Sequence, residues 1–203
     1  MLTGARSAAL GVTLIELLIA VSLIALLLAL AGPSFRDLSL DNRQAARLNE
    51  FLVALNLARA EAVKRGLRAC LCKGSAPSGC ENTAGGCCDT SAAGWEQGWL
   101  VFVDRDRDSN LTAAGGDVLL QRREGLAGEM TVRGSHNLQH RVLFNNRGES
   151  GSPGTLRFCD SRGASAAKGI VLHSTGRARL AVDRDDPPDG IVEDGGGNNL
   201  ECP

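Results

Sequence analysis

Residues 11–33 read GVTLIELLIAVSLIALLLALAGP, and this stretch decides the interpretation of the whole chain. From residue 12 to residue 32 it is almost wholly apolar and long enough to span a bilayer as a helix. A secretory signal peptide has its small-residue cleavage site after a shorter apolar run, whereas Gly11 stands before this one. Cleavage after Gly11 would therefore keep the apolar helix in the mature protein. Glu16 interrupts the run, and because a carboxylate at membrane depth is costly, it is a candidate for a specific role.

The positions of Gly11, Glu16 and Pro33 resemble the type IV pilin signature. In that family a prepilin peptidase cuts after the glycine and methylates the new N-terminal residue, which here is Val12, where phenylalanine is usual. The resemblance implies that Glu16, the fifth residue after Gly11, pairs with the N-terminal amine of a neighbouring subunit, and that Pro33 interrupts the helix. The alternative is a plain signal anchor in which Glu16 is incidental.

A helical pattern continues beyond Pro33 and then gives way to strands. Gly66 follows a basic pair and predicts the end of the helix. Apolar residues recur before it at the spacing of one helix face, at Leu48, Phe51, Leu52, Leu55, Ala58 and Ala62. Beyond it no helix-length pattern separates the short apolar runs, which favours antiparallel pairing. The predicted strands are residues 67–73, 98–104, 117–122, 130–133, 140–145, 155–159, 169–174 and 177–182.

These patterns predict an α+β fold. A long N-terminal, transmembrane α-helix packs its C-terminal half on an antiparallel β-sheet head, in a type IV pilin-like fold. We divide the chain into a leader peptide (1–11), a transmembrane or filament-core helix (12–33), the amphipathic part of the same helix (34–66) and a periplasmic β-rich head (67–203). The expected location is a single pass of the inner membrane with the head in the periplasm, followed by a pilus or pseudopilus filament.

Three further motifs resemble the GspH/FimT branch of minor pilins and pseudopilins. They are ARAEA at residues 58–62, GWEQGWLVFVD at residues 94–104 and GRAR at residues 176–179. The resemblance implies a low-abundance filament subunit. Its partners would be other pilins or pseudopilins, the prepilin peptidase, the inner-membrane assembly platform and, before assembly, the lipid bilayer. A type IV pilus and a type II secretion pseudopilus are both open at this point.

Seven cysteines in a periplasmic head favour disulfides. Cys159 and Cys202 are expected to tie the C-terminal tail to the sheet, and Cys72 and Cys80 are the candidates for a second bond. At least one of the seven stays free or pairs between chains. A zinc cluster built from Cys70, Cys72 and the loop cysteines is the alternative, but the spacing matches no familiar zinc motif.

Little in the sequence supports calcium binding or catalysis. The sequence DRDRDSN at residues 104–110 resembles the start of a calcium loop. However, Ser109 stands at the sixth position in place of glycine, Gly115 stands at the twelfth in place of glutamate, and the interleaved arginines would repel a cation. A solvated hairpin connection is therefore predicted. The three histidines form no triad or metal pattern, and no phosphate-binding glycine loop occurs. No enzymatic activity, metal or cofactor is predicted.

DNA is a second possible partner. The net charge of −1 gives no global attraction to polyanions, so binding would need a local patch. Strand alternation places Arg177 and Arg179 on one face, where guanidinium groups could contact phosphates, and Lys168 lies in the same basic region. In some proteins resembling FimT the GRxR element is linked to DNA uptake during transformation. A solvated strand face is the alternative, and the acidic tail after residue 184 would weaken the attraction.

Overall fold

The structure is a computed structural model that describes residues 12–74, 88, 94–125, 128 and 130–203, apart from the side chains of residues 29–34. Gly11, the expected cleavage site, and Cys80 lie outside the described residues. Pro33 lies inside the first helix, and its side chain is not described.

One long helix precedes eight strands in the described chain. Helix α1 spans Leu14–Arg65, and the strands are β1 (Arg68–Lys73), β2 (Gly98–Asp104), β3 (Val118–Glu124), β4 (Thr131–Gly134), β5 (Arg141–Phe144), β6 (Gly154–Cys159), β7 (Lys168–Leu172) and β8 (Ala178–Leu180). Each predicted strand corresponds to one of these, so the predicted strands are confirmed.

The strands form two four-stranded antiparallel sheets. The first has the order β3-β2-β1-β5, and the second has the order β4-β6-β7-β8. All the neighbouring strands in both sheets run antiparallel, and such pairs need no crossover helix between them. The α+β class and the antiparallel pairing are therefore confirmed.

The end of α1 also agrees with the sequence. Arg65 is the last helical residue, and Gly66 has φ +65°, a left-handed conformation that glycine adopts without strain. Across this turn the Leu67 amide donates to the Ala62 carbonyl, which satisfies an acceptor that the ended helix leaves open.

One face of α1 packs against both sheets. Phe51 is fully buried, and its ring lies 5.0 Å from that of Trp99 on β2 and 6.0 Å from that of Phe158 on β6. These separations are typical of favourable aromatic pairs. The other buried residues on this helix face are Leu48, Ala54, Leu55, Ala58 and Ala62, with Leu52 partly buried. The amphipathic half of the helix therefore contributes the face that the sequence pattern predicts.

The segment just before β2 links the two sheets. The Trp95 indole Nε1 donates to the Leu138 carbonyl at 2.9 Å. The Glu96 carboxylate accepts a hydrogen bond of 2.9 Å from the Val132 amide of β4 and pairs with Arg133 on the same strand. Burial opposes ionisation of Glu96, but these hydrogen bonds outweigh it and lower its pKa. The GWEQGW motif thus has a structural role.

The C-terminal tail is covalently tied to the second sheet. Cys159 at the end of β6 is bonded to Cys202, with Cα atoms 5.8 Å apart, so the expected disulfide between them is present. Val171, Ala181 and Leu200 are buried around it in a small apolar cluster. The tail is therefore an ordered part of the head rather than an unstructured extension.

The expected bond between Cys72 and Cys80 is wrong, because Cys72 is bonded to Cys88. The Cys88 amide donates to the Asn110 side-chain oxygen at 2.8 Å, and this contact holds Cys88 beside the hairpin loop after β2. Cys70 is buried without a disulfide, and burial raises the pKa of its thiol. Cys72 is therefore held in a disulfide and offers no thiolate to the alternative zinc cluster.

The chain divides into two units, Met1–Asn42 and Arg43–Pro203. In the first unit the large apolar side chains from Val12 to Leu28 are each 55–77% exposed. Among the residues that the structure describes, no helix is both long and apolar enough to cross a membrane.

Candidate functional site

The GRAR element lies at the hairpin between β7 and β8. The His173 amide donates to the Arg177 carbonyl at 3.0 Å, and the Gly176 amide donates to the His173 carbonyl at 2.9 Å. Gly176 has φ +76° and is buried, whereas Arg177 beside it is exposed. The first residue of the motif thus forms the turn, and the arginines that follow are displayed by it.

Arg59 of α1 forms a clasp between this turn and a second turn that contains Gly148, because it donates hydrogen bonds to both. Its Nε donates to the Gly148 carbonyl at 2.9 Å, and its Nη2 donates to the Thr175 carbonyl at 3.1 Å. A Cβ atom on Gly176 would lie only 1.9 Å from the Gly148 oxygen, so the two turns touch backbone to backbone. The ARAEA and GRAR motifs therefore meet in space. Sequence patterns do not reveal this contact, because 116 residues separate Arg59 from Thr175.

The two arginines of the element have different surroundings. Arg179 is half-buried; its Nε donates to His173 Nε2 at 3.2 Å and its Nη1 to the Leu180 carbonyl at 3.1 Å. Among the described residues, the Arg177 side chain forms no hydrogen bond or ion pair. Because Arg177 and Arg179 alternate around Ala178, which packs on the main core, both belong to the opposite face of the sheet.

Lys168 does not join these arginines. It begins β7 in register with Phe158, and alternation places it on the same face as Ile170 and Leu172, which are buried in the main core. Val171, the register partner of Arg179, lies on the other face. Alternation therefore places Lys168 on the opposite face of the sheet from Arg179, and its part in DNA binding stays a prediction.

The acidic tail lines the groove next to Arg179. This groove contains His173, the hydrogen-bond partner of Arg179, together with Asp194 and Val171. Burial opposes ionisation of Asp194, but the amides of Gly196, Gly197 and Asn198 outweigh it and lower its pKa. A fixed negative charge therefore lies close to the basic strand and would oppose a phosphate there.

The residues predicted to act in processing and assembly, Val12 and Glu16, lie at the start of α1. Val12 is 71% exposed and precedes the helix. The Glu16 amide donates to Thr13 Oγ1 at 3.3 Å, which is one half of a capping box. Glu16 is itself exposed, and its carboxylate forms no hydrogen bond or ion pair among the described residues.

A family model described as "Type II transport protein GspH" matches residues 47–176, which is more than half of the chain. The chain belongs to the GspH family.

The solved structures that resemble this GspH-family chain are two crystal forms of the type IV minor pilin FimU from Pseudomonas aeruginosa PAO1. The form in space group P21 is 16% identical, has a TM-score of 0.50 and is aligned over 70% of this chain and 90% of FimU. The form in space group P65 is 17% identical, has a TM-score of 0.47 and is aligned over 70% and 92%. The first likeness establishes a shared fold. No curated protein sequence matches the chain.

The family match covers only some of the residues described above. It includes Arg59 and Gly176, the two sides of the clasp, and it ends immediately before Arg177. Arg179 and Glu16 also lie outside it. Membership of the GspH family therefore assigns no role to the arginines of the GRAR element or to Glu16.

Proposed function

We propose that the chain is a minor pilin or pseudopilin subunit that a prepilin peptidase cuts after Gly11. It then assembles through the first part of α1 into a type IV pilus or a type II secretion pseudopilus. The observation that carries this proposal is the apolar surface of residues 12–28, whose large side chains are all more than half exposed. A helix that is apolar all round is stable only when lipid or other protein surrounds it. Membrane insertion before assembly and subunit packing after it supply both environments.

The family and the fold support a filament subunit. The GspH description supports a type II system, and the FimU likeness supports the fold of a type IV minor pilin. In this proposal the inner membrane holds residues 12–33 until the assembly platform transfers the subunit to its pilin or pseudopilin neighbours. The head then folds in the periplasm, where oxidising conditions favour the Cys72–Cys88 and Cys159–Cys202 disulfides.

Processing can be tested by co-expression with a prepilin peptidase and intact-mass measurement. We expect the mature chain to begin at Val12 and to carry one added methyl group. Gly11→Leu should keep the full mass, because a bulky side chain at the cleaved bond blocks the peptidase. Gly4→Leu, a change at the other leader glycine, is the matched control and should be processed normally. A wild-type mass that the peptidase leaves unchanged contradicts the proposal.

DNA binding is the second candidate function, and the exposed Arg177 favours it. Two arginines that contact phosphates would give affinity that falls with salt by a slope of about 0.9 per phosphate. We would titrate duplex DNA into the full-length chain in detergent at two salt concentrations. Arg177→Glu/Arg179→Glu should abolish a salt-sensitive shift. Arg105→Glu/Arg107→Glu is the matched control, because it reverses two exposed arginines at the same spacing. Absence of wild-type binding at low salt eliminates this function.

A further inference from the structure

Four aspartates meet at the β2–β3 hairpin. Asp104 ends β2, Asp106 and Asp108 lie in the connection, and Asp117 immediately precedes β3. One carboxylate oxygen from each lies within 4.8 Å of those of the other three. We call these four residues the hairpin carboxylate cluster. Calcium binds oxygen ligands at about 2.3–2.6 Å, so opposite ligands of one ion are separated by about the same 4.8 Å.

Asp104 provides an observation independent of this clustering. Its side chain is fully buried. Oδ2 accepts hydrogen bonds from Arg68 Nε at 2.8 Å and from the Ser109 amide at 3.2 Å. Oδ1 is buried and has no hydrogen-bond partner within the described part of the chain. The pairing with Arg68 therefore leaves one buried oxygen of this carboxylate without a hydrogen-bond partner in the described structure.

Backbone amides fix the other three carboxylates. Asp106 Oδ1 accepts the Asp108 amide at 3.1 Å, and Asp108 Oδ1 accepts the Asn110 amide at 2.7 Å. The two oxygens of Asp117 accept the Arg105 and Thr112 amides at 2.8 and 3.0 Å. The second oxygens of Asp106 and Asp108 have no hydrogen-bond partner among the described residues. The acidic groups are thus oriented without being neutralised.

The sequence departs from a calcium-loop pattern in three ways, and the structure explains each of them. Ser109 has φ +65°, so serine adopts the left-handed conformation that glycine provides at the sixth position of a calcium loop. The missing acid at position twelve is replaced by Asp117, which folds back into the cluster. Arg105 and Arg107 are exposed, and neither forms an ion pair in the described structure.

We propose that the hairpin carboxylate cluster binds one calcium ion. The four aspartates supply one oxygen each, and water completes the coordination. Arg68 offsets one of the four negative charges, so the affinity belongs at the weak end of natural sites, with a dissociation constant of about 0.1–1 mM. The ion would hold the hairpin connection, which contacts Cys88 through Asn110 and Arg141 through the Ser109 carbonyl. The prediction of a purely solvated connection would then be wrong.

The test uses the full-length chain in detergent after removal of metals with EGTA. We expect calcium titration to release or absorb measurable heat. At about a hundredfold excess over the dissociation constant, calcium should raise Tm by roughly 5–10 °C. Asp106→Asn/Asp108→Asn should abolish both effects and leave the metal-free Tm nearly unchanged, because it spares the Asp104–Arg68 pair. The matched control is Asp183→Asn/Asp185→Asn in the tail, where Asp183, Asp185 and Glu193 form a separate acidic group.

Three outcomes would overturn the site. One is an equal rise in Tm with sodium chloride at matched ionic strength, which indicates charge screening alone. Another is loss of calcium binding in the tail variant with retention in the hairpin variant. The third is an equal response to magnesium, whose octahedral demand does not suit four fixed carboxylates.

Discussion

Glu16→Ala should abolish incorporation of the subunit into its filament, while cleavage after Gly11 continues. Glu16 lies among exposed apolar side chains, and burial of this surface in a filament would remove its carboxylate from water. An unpaired buried carboxylate costs several kcal/mol, so the assembled state must supply a cation. The α-amine that proteolysis creates on a neighbouring Val12 is the proposed partner. Without Glu16 that amine is left unpaired at the same depth, and subunits lose the charge pair that sets their register.

The measurement is the ratio of filament-bound to membrane-bound subunit, together with the mature mass of each variant. Glu16→Gln keeps the shape of the side chain and should fail like alanine, because the charge is missing. Thr13→Ala is the control for a purely local role, since it removes the observed cap on the Glu16 amide and keeps the carboxylate. It should assemble normally. Incorporation of Glu16→Ala at the wild-type level would falsify the charge-pairing mechanism.

Much of the fold could be predicted because its local signals agree with its packing. The Phe51 face repeats at helical spacing, and the structure buries that face against Trp99 and Phe158. Gly66 after two basic residues predicts a helix end, and its backbone conformation shows why glycine is there. Each strand carries its own alternation and is bounded by turn residues. Such signals depend on neighbours within a few residues, so sequence alone contains them.

Contacts between segments that are distant in sequence are harder to predict. The pairing of Cys72 with Cys88 depends on how the hairpin loop lies beside β1, and spacing alone does not determine disulfide connectivity. Asp117 joins Asp104 only because β2 and β3 are adjacent and antiparallel. Lys168 is close to Arg179 in sequence, but the strand register places the two on opposite faces of the sheet. Side chains alternate between the two faces of a strand, so the positions of these residues along their strands could have shown this once the strands were recognised.

Gly176→Val should lower the free energy of unfolding by about 4 kcal/mol or more, which is a large part of the stability of an ordinary domain. Valine is poorly suited to φ +76°, and the cost of such strain is about 1–3 kcal/mol. In addition, its Cβ would lie 1.9 Å from the Gly148 oxygen, so the two turns must separate. Separation breaks the bonds from Arg59 to both turns, and each bond from a charged donor contributes about 1.5–3 kcal/mol.

Denaturant unfolding followed by the fluorescence of Trp95 and Trp99 measures this loss, because both indoles are buried. Gly163→Val is the matched control. Gly163 also has a positive φ, at +80°, but its added Cβ would meet no atom within 4 Å. The control therefore contains the backbone strain without the collision, and the difference between the two variants isolates the contact between the turns. Equal stabilities would mean that the clasp contributes nothing.

Comparing these variants with the arginine variant separates a structural role of the GRAR element from a role in DNA binding. Loss of DNA binding in Gly176→Val would report a displaced hairpin, because the turn that displays both arginines would have moved. Arg177→Glu/Arg179→Glu changes the exposed face and leaves the bonds made by Arg59 intact. The family match ends at Gly176 and assigns no role to the two arginines. Only the arginine variant can therefore assign a function to the element.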